Sequence, residues 1–172
     1  MQRRTMIFAG FAFAATTSLG GCGFRPLLSE TEGDSVRSQL AAVRIKGLGG
    51  RLGQQLRTSL EDNLDPTSSA EPARYDLVIR LRNTNSALAI QLDNTITRYN
   101  LALNAGFELR RRDDQQVLYR SSVRRVASYN VRRAPFATLT AKKDAQRRAA
   151  QEVADDIRTL LALHFQRRTN AT

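Results

Sequence analysis

The chain has 172 residues, with 27 Lys and Arg against 16 Asp and Glu, and it carries a formal charge of +11. A single histidine and a single cysteine exclude ordinary zinc sites, and the acylation expected at that cysteine also excludes a Cys-His nucleophile pair. The length suffices for one domain with a real core, and the basic excess indicates an anionic partner. Arginine supplies 24 of the 27 basic residues, and its planar fork suits phosphate and carboxylate.

The N-terminus has the pattern of an export signal. Arg3 and Arg4 precede an apolar segment, residues 6–15, and the small residues that follow end at a cysteine. The tetrad Leu19, Gly20, Gly21 and Cys22 resembles the lipobox of bacterial lipoproteins. This predicts a signal peptide over residues 1–21, with N-acyl and S-diacylglycerol groups on Cys22 and no other cofactor.

Two other interpretations of this segment remain open. Residues 5–24 carry no charge and are just long enough for a transmembrane anchor, although the apolar core alone is too short. Arg3-Arg4 could belong to a twin-arginine signal, but the rest of that motif is missing. By resemblance to lipoprotein sorting signals, Gly23 after the cysteine favours the outer membrane.

Residues 22–38 show no periodicity and are predicted to be a lipidated flexible tether. A single domain is expected over residues 39–168, and residues 169–172 are expected to form a disordered tail. Alternation predicts a strand over residues 40–46. Leucines at every fourth position then predict a helix over residues 51–65.

The middle of the chain has the period of β-strands. Strands are predicted over residues 75–82 and 88–92, separated by a turn at residues 83–86, and alternation is clearest from Tyr99 to Leu109. A reversal at residues 112–115 leads into a return strand over residues 116–129. Its apolar residues change phase at Val126, which suggests a bulge near Arg124-Arg125.

A loop over residues 131–136 and a long helix from residue 138 to about residue 167 complete the chain. The predicted fold class is α+β, a two-layer β-α-β-β-β-α sandwich. Two helices pack on one face of a four-stranded mixed sheet. The other sheet face is expected to be open, polar and rich in arginine unless a partner covers it.

No catalytic or metal site is predicted. His164 lies on the apolar seam of the last helix, which favours a packed or helix-terminal role over a general base. The adjacent carboxylates of Asp113-Asp114 and Asp155-Asp156 have the pattern of solvated turn and helix residues. Basic residues on the hairpin and the loop after it are the better candidates, because grouped guanidinium groups repel unless an anion lies among them. The candidates for phosphate binding are Arg98, Arg124, Arg125, Arg132 and Arg133.

The chain resembles the LptE family of lipopolysaccharide-assembly lipoproteins, in its alphaproteobacterial form. The resemblance is carried by the lipobox running into residues 21–27, by residues 97–99, 127–130 and 135–137, and by the arginine- and alanine-rich last helix. It implies a non-enzymatic outer-membrane lipoprotein, anchored on the periplasmic side. It also implies a protein that plugs and helps assemble the β-barrel LptD and binds the lipid A phosphates of lipopolysaccharide.

Two alternatives belong to other classes. One is a periplasmic-facing scaffold or anionic-glycan-binding lipoprotein without a barrel partner. The other, a nucleic-acid module, conflicts with export and with the lack of the surface aromatic residues that such sheets use for base stacking. We therefore expect no nucleic-acid partner.

Overall fold

The computed structural model describes residues 30–64, 72–90, 96–131 and 133–170. The elements of these segments, in chain order, are α1 (Glu30–Ala41), β1 (Val43–Lys46), α2 (Gly50–Leu64), β2 (Tyr75–Ile90), β3 (Ile96–Arg111), β4 (Val117–Asn130) and α3 (Pro135–Thr169). The predicted signal peptide, lipobox and Cys22 lie outside the described residues. Within the described segments, no helix is both long and apolar enough to cross a membrane.

The four strands form one mixed sheet in the order β1-β2-β3-β4. β1 and β2 are parallel and are joined through α2, whereas β2, β3 and β4 form an antiparallel meander. The α+β class and the four-stranded mixed sheet are confirmed, and the predicted β-α-β-β-β-α order holds from β1 onward.

Strict alternation along β3 divides the sheet into two faces. Leu101, Leu103 and Leu109 are fully buried beneath the helices, whereas the residues between them point to the other side. Helix α3 packs along β4 and α2 packs beside α3. The core therefore lies on one face of the sheet, and the described helices leave the other face uncovered.

Helix α3 is longer than predicted at both ends. It begins at Pro135, which occupies the first turn, where its missing N–H costs no hydrogen bond. It continues through Thr169, and the backbone N–H of Asn170 caps it. The prediction of a disordered tail from residue 169 is therefore wrong for these two residues, while residues 171–172 lie outside the described segments.

Helix α1 replaces the second half of the predicted tether. Val36 and Leu40 are 1% and 3% exposed and belong to the main core. These two residues are one helical turn apart, a spacing too sparse to predict a helix from periodicity. The helix continues through Ala41, so β1 begins at Val43 and not at residue 40. The prediction that residues 30–38 belong to a flexible tether is therefore wrong. Burial against the rest of the domain stabilises these residues, and the local sequence pattern does not show that burial.

Two predicted irregularities of the strands are also wrong in position. Residues 83–86 continue β2, because their backbone pairs with residues 100–103 of β3 and this outweighs their turn propensity. No bulge occurs near Arg124-Arg125; the register of β3 and β4 shifts between Leu109 and Arg110. Val126 simply points to the uncovered face, where it is 48% exposed.

Substitution of Leu40 tests whether α1 is part of the domain. Leu40→Ala should lower the free energy of unfolding by about 2–5 kcal/mol, because it empties a fully packed core position. The exposed neighbour Arg37 provides the matched control, and Arg37→Ala should change stability by less than about 0.5 kcal/mol. Equal stability of both variants in chemical denaturation would show that residues 30–41 are a dispensable tether.

Candidate anion-binding face

The uncovered side of the sheet, here called the open face, consists of the strand residues that alternate with the core residues. Over the paired positions of the four strands it carries eight basic side chains and two acidic ones. The basic residues are Arg44, Lys46, Arg80, Arg82, Arg98, Arg110, Arg120 and Arg124, and the acidic residues are Asp76 and Glu108. Both acidic residues are buried, at 1% and 7% exposure.

Asp76 lies on β2 beside the short edge strand. Lys46 donates a hydrogen bond of 2.6 Å from Nζ to Oδ2 of Asp76. Arg112, which follows β3, places its Nε 3.6 Å from Oδ1. A buried carboxylate is stable only with such partners, so this end of the open face is held together by ion pairs.

Glu108 lies on β3 at the centre of an arginine cluster. Arg110 donates to Oε2 from both Nε and Nη2, at 3.1 and 2.6 Å. On Oε1, Arg120 approaches to 3.0 Å and Arg80 to 3.8 Å. The hydrogen bond from Arg110 lowers the pKa of Glu108 below its ordinary value; burial opposes this, and the charges of the three arginines reinforce it.

A shallow pocket of about 450 Å³ lies next to this cluster. Its walls include Arg80, Arg120 and Ser122, and Gly106 lies between Arg80 and Ser122 in the pairing register. A Cβ atom added at Gly106 would meet nothing within 4 Å. The glycine therefore leaves open space that a ligand could occupy.

The next row of the sheet holds two further arginines. Arg82 and Arg124 flank Asn104, and both are exposed. Among the described residues, neither has an ion-pair partner within 4.0 Å. Guanidinium groups in this state are available to an external anion, and they can bind phosphate with two parallel hydrogen bonds.

The structure does not bring the five predicted candidates together. Arg98 and Arg124 are both on the open face, but the six residues of β3 that separate their rows place them about 20 Å apart. Arg125 points to the opposite side. Arg133 is exposed in the turn before α3, and Arg132 lies outside the described residues. Their common role in phosphate binding stays a prediction.

Arg125 is bound by the helix layer. Its Nε and Nη2 donate to the two carboxylate oxygens of Asp156 on α3, both at 2.5 Å. This bidentate pair raises the pKa of Arg125, mainly through the hydrogen bonds to Asp156. Asp155 accepts a 2.8 Å hydrogen bond from Asn63 of α2. These two carboxylates therefore hold β4, α2 and α3 together.

The end of the sheet that contains Arg98, here called the loop end, exposes apolar side chains. Leu88 at the end of β2 is 54% exposed, and Phe136 and Leu139 on the first turns of α3 are 78% and 47% exposed. β4 pairs with β3 up to Arg98, and α3 follows β4 after four residues. Apolar and basic groups thus occur together at this end.

The histidine and an acidic residue of the hairpin tip pack or pair with neighbouring side chains. His164 stacks on Tyr119 at a ring-centroid distance of 4.8 Å, and burial, followed by the charges of Arg168 and Arg167, lowers its pKa. Asp114 pairs with Arg111 at the hairpin tip. In the described segments, no group of three or more potential ligands could hold a metal ion.

Alternation along the predicted strands places Arg80, Arg82 and Glu108 on the outward face, but it does not predict the burial of Asp76 and Glu108. The alternation predicts that Glu108 is wet. Only the register shows that Arg120 lies directly opposite it, whereas alternation alone places Arg110 on the same face. The available signal was that Glu108 is the one acidic residue of β3 and shares its face with Arg110.

The chain matches a known protein family. The family model for LptE, described as lipopolysaccharide-assembly, matches residues 37–161. No curated protein matches the sequence.

Solved structures of lipoproteins share the fold. A lipoprotein from Caulobacter crescentus CB15 is 28% identical with a TM-score of 0.63, and the match covers 74% of this chain and 93% of that chain. A minor lipoprotein from Acinetobacter baumannii is 17% identical with a TM-score of 0.53, covering 70% and 88%. The rare lipoprotein B from Shewanella oneidensis is 16% identical with a TM-score of 0.50, covering 70% and 91%. The last two show the fold alone.

The family match spans most of the chain, from α1 into α3, and includes the whole sheet with its arginine-rich open face. The chain therefore belongs to the LptE family of lipopolysaccharide-assembly lipoproteins.

Proposed function

We propose that this chain is a non-enzymatic outer-membrane lipoprotein that plugs the β-barrel LptD, assists its assembly and binds lipopolysaccharide during insertion into the outer leaflet. Family membership supports a role in lipopolysaccharide assembly. Acyl groups on Cys22 hold the domain at the periplasmic side of the membrane in this proposal.

The open face is the observation that carries the proposal. Eight basic side chains share it with two carboxylates, and the described helices cover only the other side of the sheet. Unbalanced guanidinium groups repel one another, and each well-formed contact with a phosphate contributes roughly 1.5–3 kcal/mol. A phosphorylated ligand therefore suits this surface.

The loop end has exposed apolar side chains beside basic ones, which suits an amphiphilic ligand. Exposed Leu88, Phe136 and Leu139 can contact acyl chains or the apolar parts of a membrane partner. Arg98 and Arg133 are exposed at the same end of the domain and can contact phosphates. Lipopolysaccharide presents both kinds of group, which a free glycan or nucleic acid does not.

Purification of the full lipidated chain from detergent-extracted outer membranes tests the proposal. We expect a large β-barrel and lipopolysaccharide to co-purify with it. Labelling with palmitate should be lost in Cys22→Ala. A monodisperse protein without a barrel would contradict the LptD partnership and favour a scaffold or anionic-glycan-binding lipoprotein. Unacylated protein in the cytosol would contradict the anchor.

Charge reversal at two adjacent arginines separates binding from folding. Arg124→Glu should weaken lipopolysaccharide binding and leave the thermal midpoint unchanged, because the side chain is exposed and without an acidic partner among the described residues. Arg125→Glu should lower the thermal midpoint, because it places a carboxylate against Asp156. Equal loss of binding and of stability in Arg124→Glu would show that Arg124 is structural.

A further inference from the structure

The two oxygens of Glu108 are held unequally. Oε2 receives two hydrogen bonds from Arg110, a residue whose side chain is 31% exposed. Oε1 has looser partners: Arg120 is 69% exposed, and Arg80 is 77% exposed and 3.8 Å away, beyond hydrogen-bonding distance. Oε2 is therefore bound by a half-buried side chain, whereas Oε1 balances the charge of two largely exposed side chains.

Arg80 and Arg120 approach the pocket over Gly106 from opposite sides. They belong to β2 and β4, two strand spacings or about 10 Å apart at the backbone. Arg80 lies directly beside Gly106 and Arg120 lies one row away, opposite Glu108. Their long side chains can reach the space above Gly106 because the glycine has no side chain to fill it. Ser122, directly opposite Gly106 on β4, places a hydroxyl at the same pocket.

We propose that the pocket over Gly106 is a phosphate site, in which a phosphate group of a phosphorylated glycolipid takes Arg80 and Arg120 from Oε1 of Glu108 while Arg110 keeps Oε2. Before the phosphate binds, Glu108 is the internal counter-anion of Arg80 and Arg120. This inference rests on the proposed function, because it specifies where on the open face a lipopolysaccharide phosphate binds and what it displaces.

The charges favour this exchange. Phosphate carries up to two negative charges and more acceptor oxygens than one side of a carboxylate, so it can bind both guanidinium forks at once. Arg82 and Arg124 occupy the adjacent row and add to the local positive potential. Glu108 stays ionised at neutral pH, since its pKa is lowered by Arg110 and the neighbouring charges. Ligand and carboxylate therefore compete for the same cations.

The competition predicts opposite effects of two substitutions. Arg80→Gln combined with Arg120→Gln should weaken lipopolysaccharide binding about tenfold or more, because it removes the charge-assisted contacts. Glu108→Gln should strengthen binding several-fold, because the neutral amide competes less for the arginines. Gly106→Val, which changes no charge, should weaken binding by filling the pocket. Nothing within 4 Å of the added Cβ opposes it, and valine favours strands.

The matched control removes two arginines from the other side of the molecule. Arg51 on α2 and Arg147 on α3 are exposed and line one groove of the helix layer. Arg51→Gln combined with Arg147→Gln should change binding less than about twofold, since a general loss of charge is a weak and screened effect. Thermal unfolding of each full-length variant verifies that it is folded before binding is compared.

Binding is measured by titrating the detergent-solubilised chain with purified lipopolysaccharide, with dephosphorylated lipopolysaccharide and with inorganic phosphate. We expect tight binding of intact lipopolysaccharide only, which would show that the bound phosphate belongs to the glycolipid. Equally tight binding of inorganic phosphate would overturn that assignment. If wild type binds lipopolysaccharide but the Arg80/Arg120 variant matches its control, or Glu108→Gln gains nothing, the inference is wrong and the proposed function stands. If wild type does not bind lipopolysaccharide at all, the proposed function itself fails.

Discussion

Buried carboxylates surrounded by guanidinium and ammonium groups hold the open side of this sheet in order. A carboxylate left unpaired at such a position is unfavourable, because no nearby positive charge offsets its loss of hydration. Asp76 and Glu108 therefore need their basic neighbours, and those neighbours need them, because like charges on adjacent strands repel. The pairing fixes the positions of Lys46 and Arg110 while Arg80 and Arg120 stay exposed. Ion pairs within the protein therefore order this face, and its basic residues still outnumber its acidic ones.

The same alternation that builds the core decides which arginines can meet a ligand. Arg124 and Arg125 are adjacent in sequence, yet one belongs to the open face and the other forms a bidentate pair with a helix carboxylate. The rows of the sheet, not proximity along the chain, therefore define the candidate site. The face has two chemically different regions: the ion-paired cluster around Glu108, and the loop end, where apolar side chains accompany Arg98.

Much of this fold could be predicted from the sequence, because β3 and α3 have strong and uninterrupted periods. The strand order, the helix-covered face and the basic outward face all follow from residues such as Leu101, Leu103 and Arg80. Helix α1 could not be predicted, since Val36 and Leu40 provide only two apolar anchors. The pairing of Glu108 with Arg120 was equally hidden, because it depends on the register of a hairpin and on a bulge near Arg110.

The central claim is that the open face, and not the helix layer, meets the phosphates of the ligand. The Nε–Hε resonances of arginine, followed by NMR during titration with lipopolysaccharide, test it most directly. The account predicts that the signals of Arg80, Arg82, Arg120 and Arg124 shift, while those of Arg125 and Arg147 remain in place. Shifts confined to arginines of the helix layer, with the open-face signals unchanged, would contradict it.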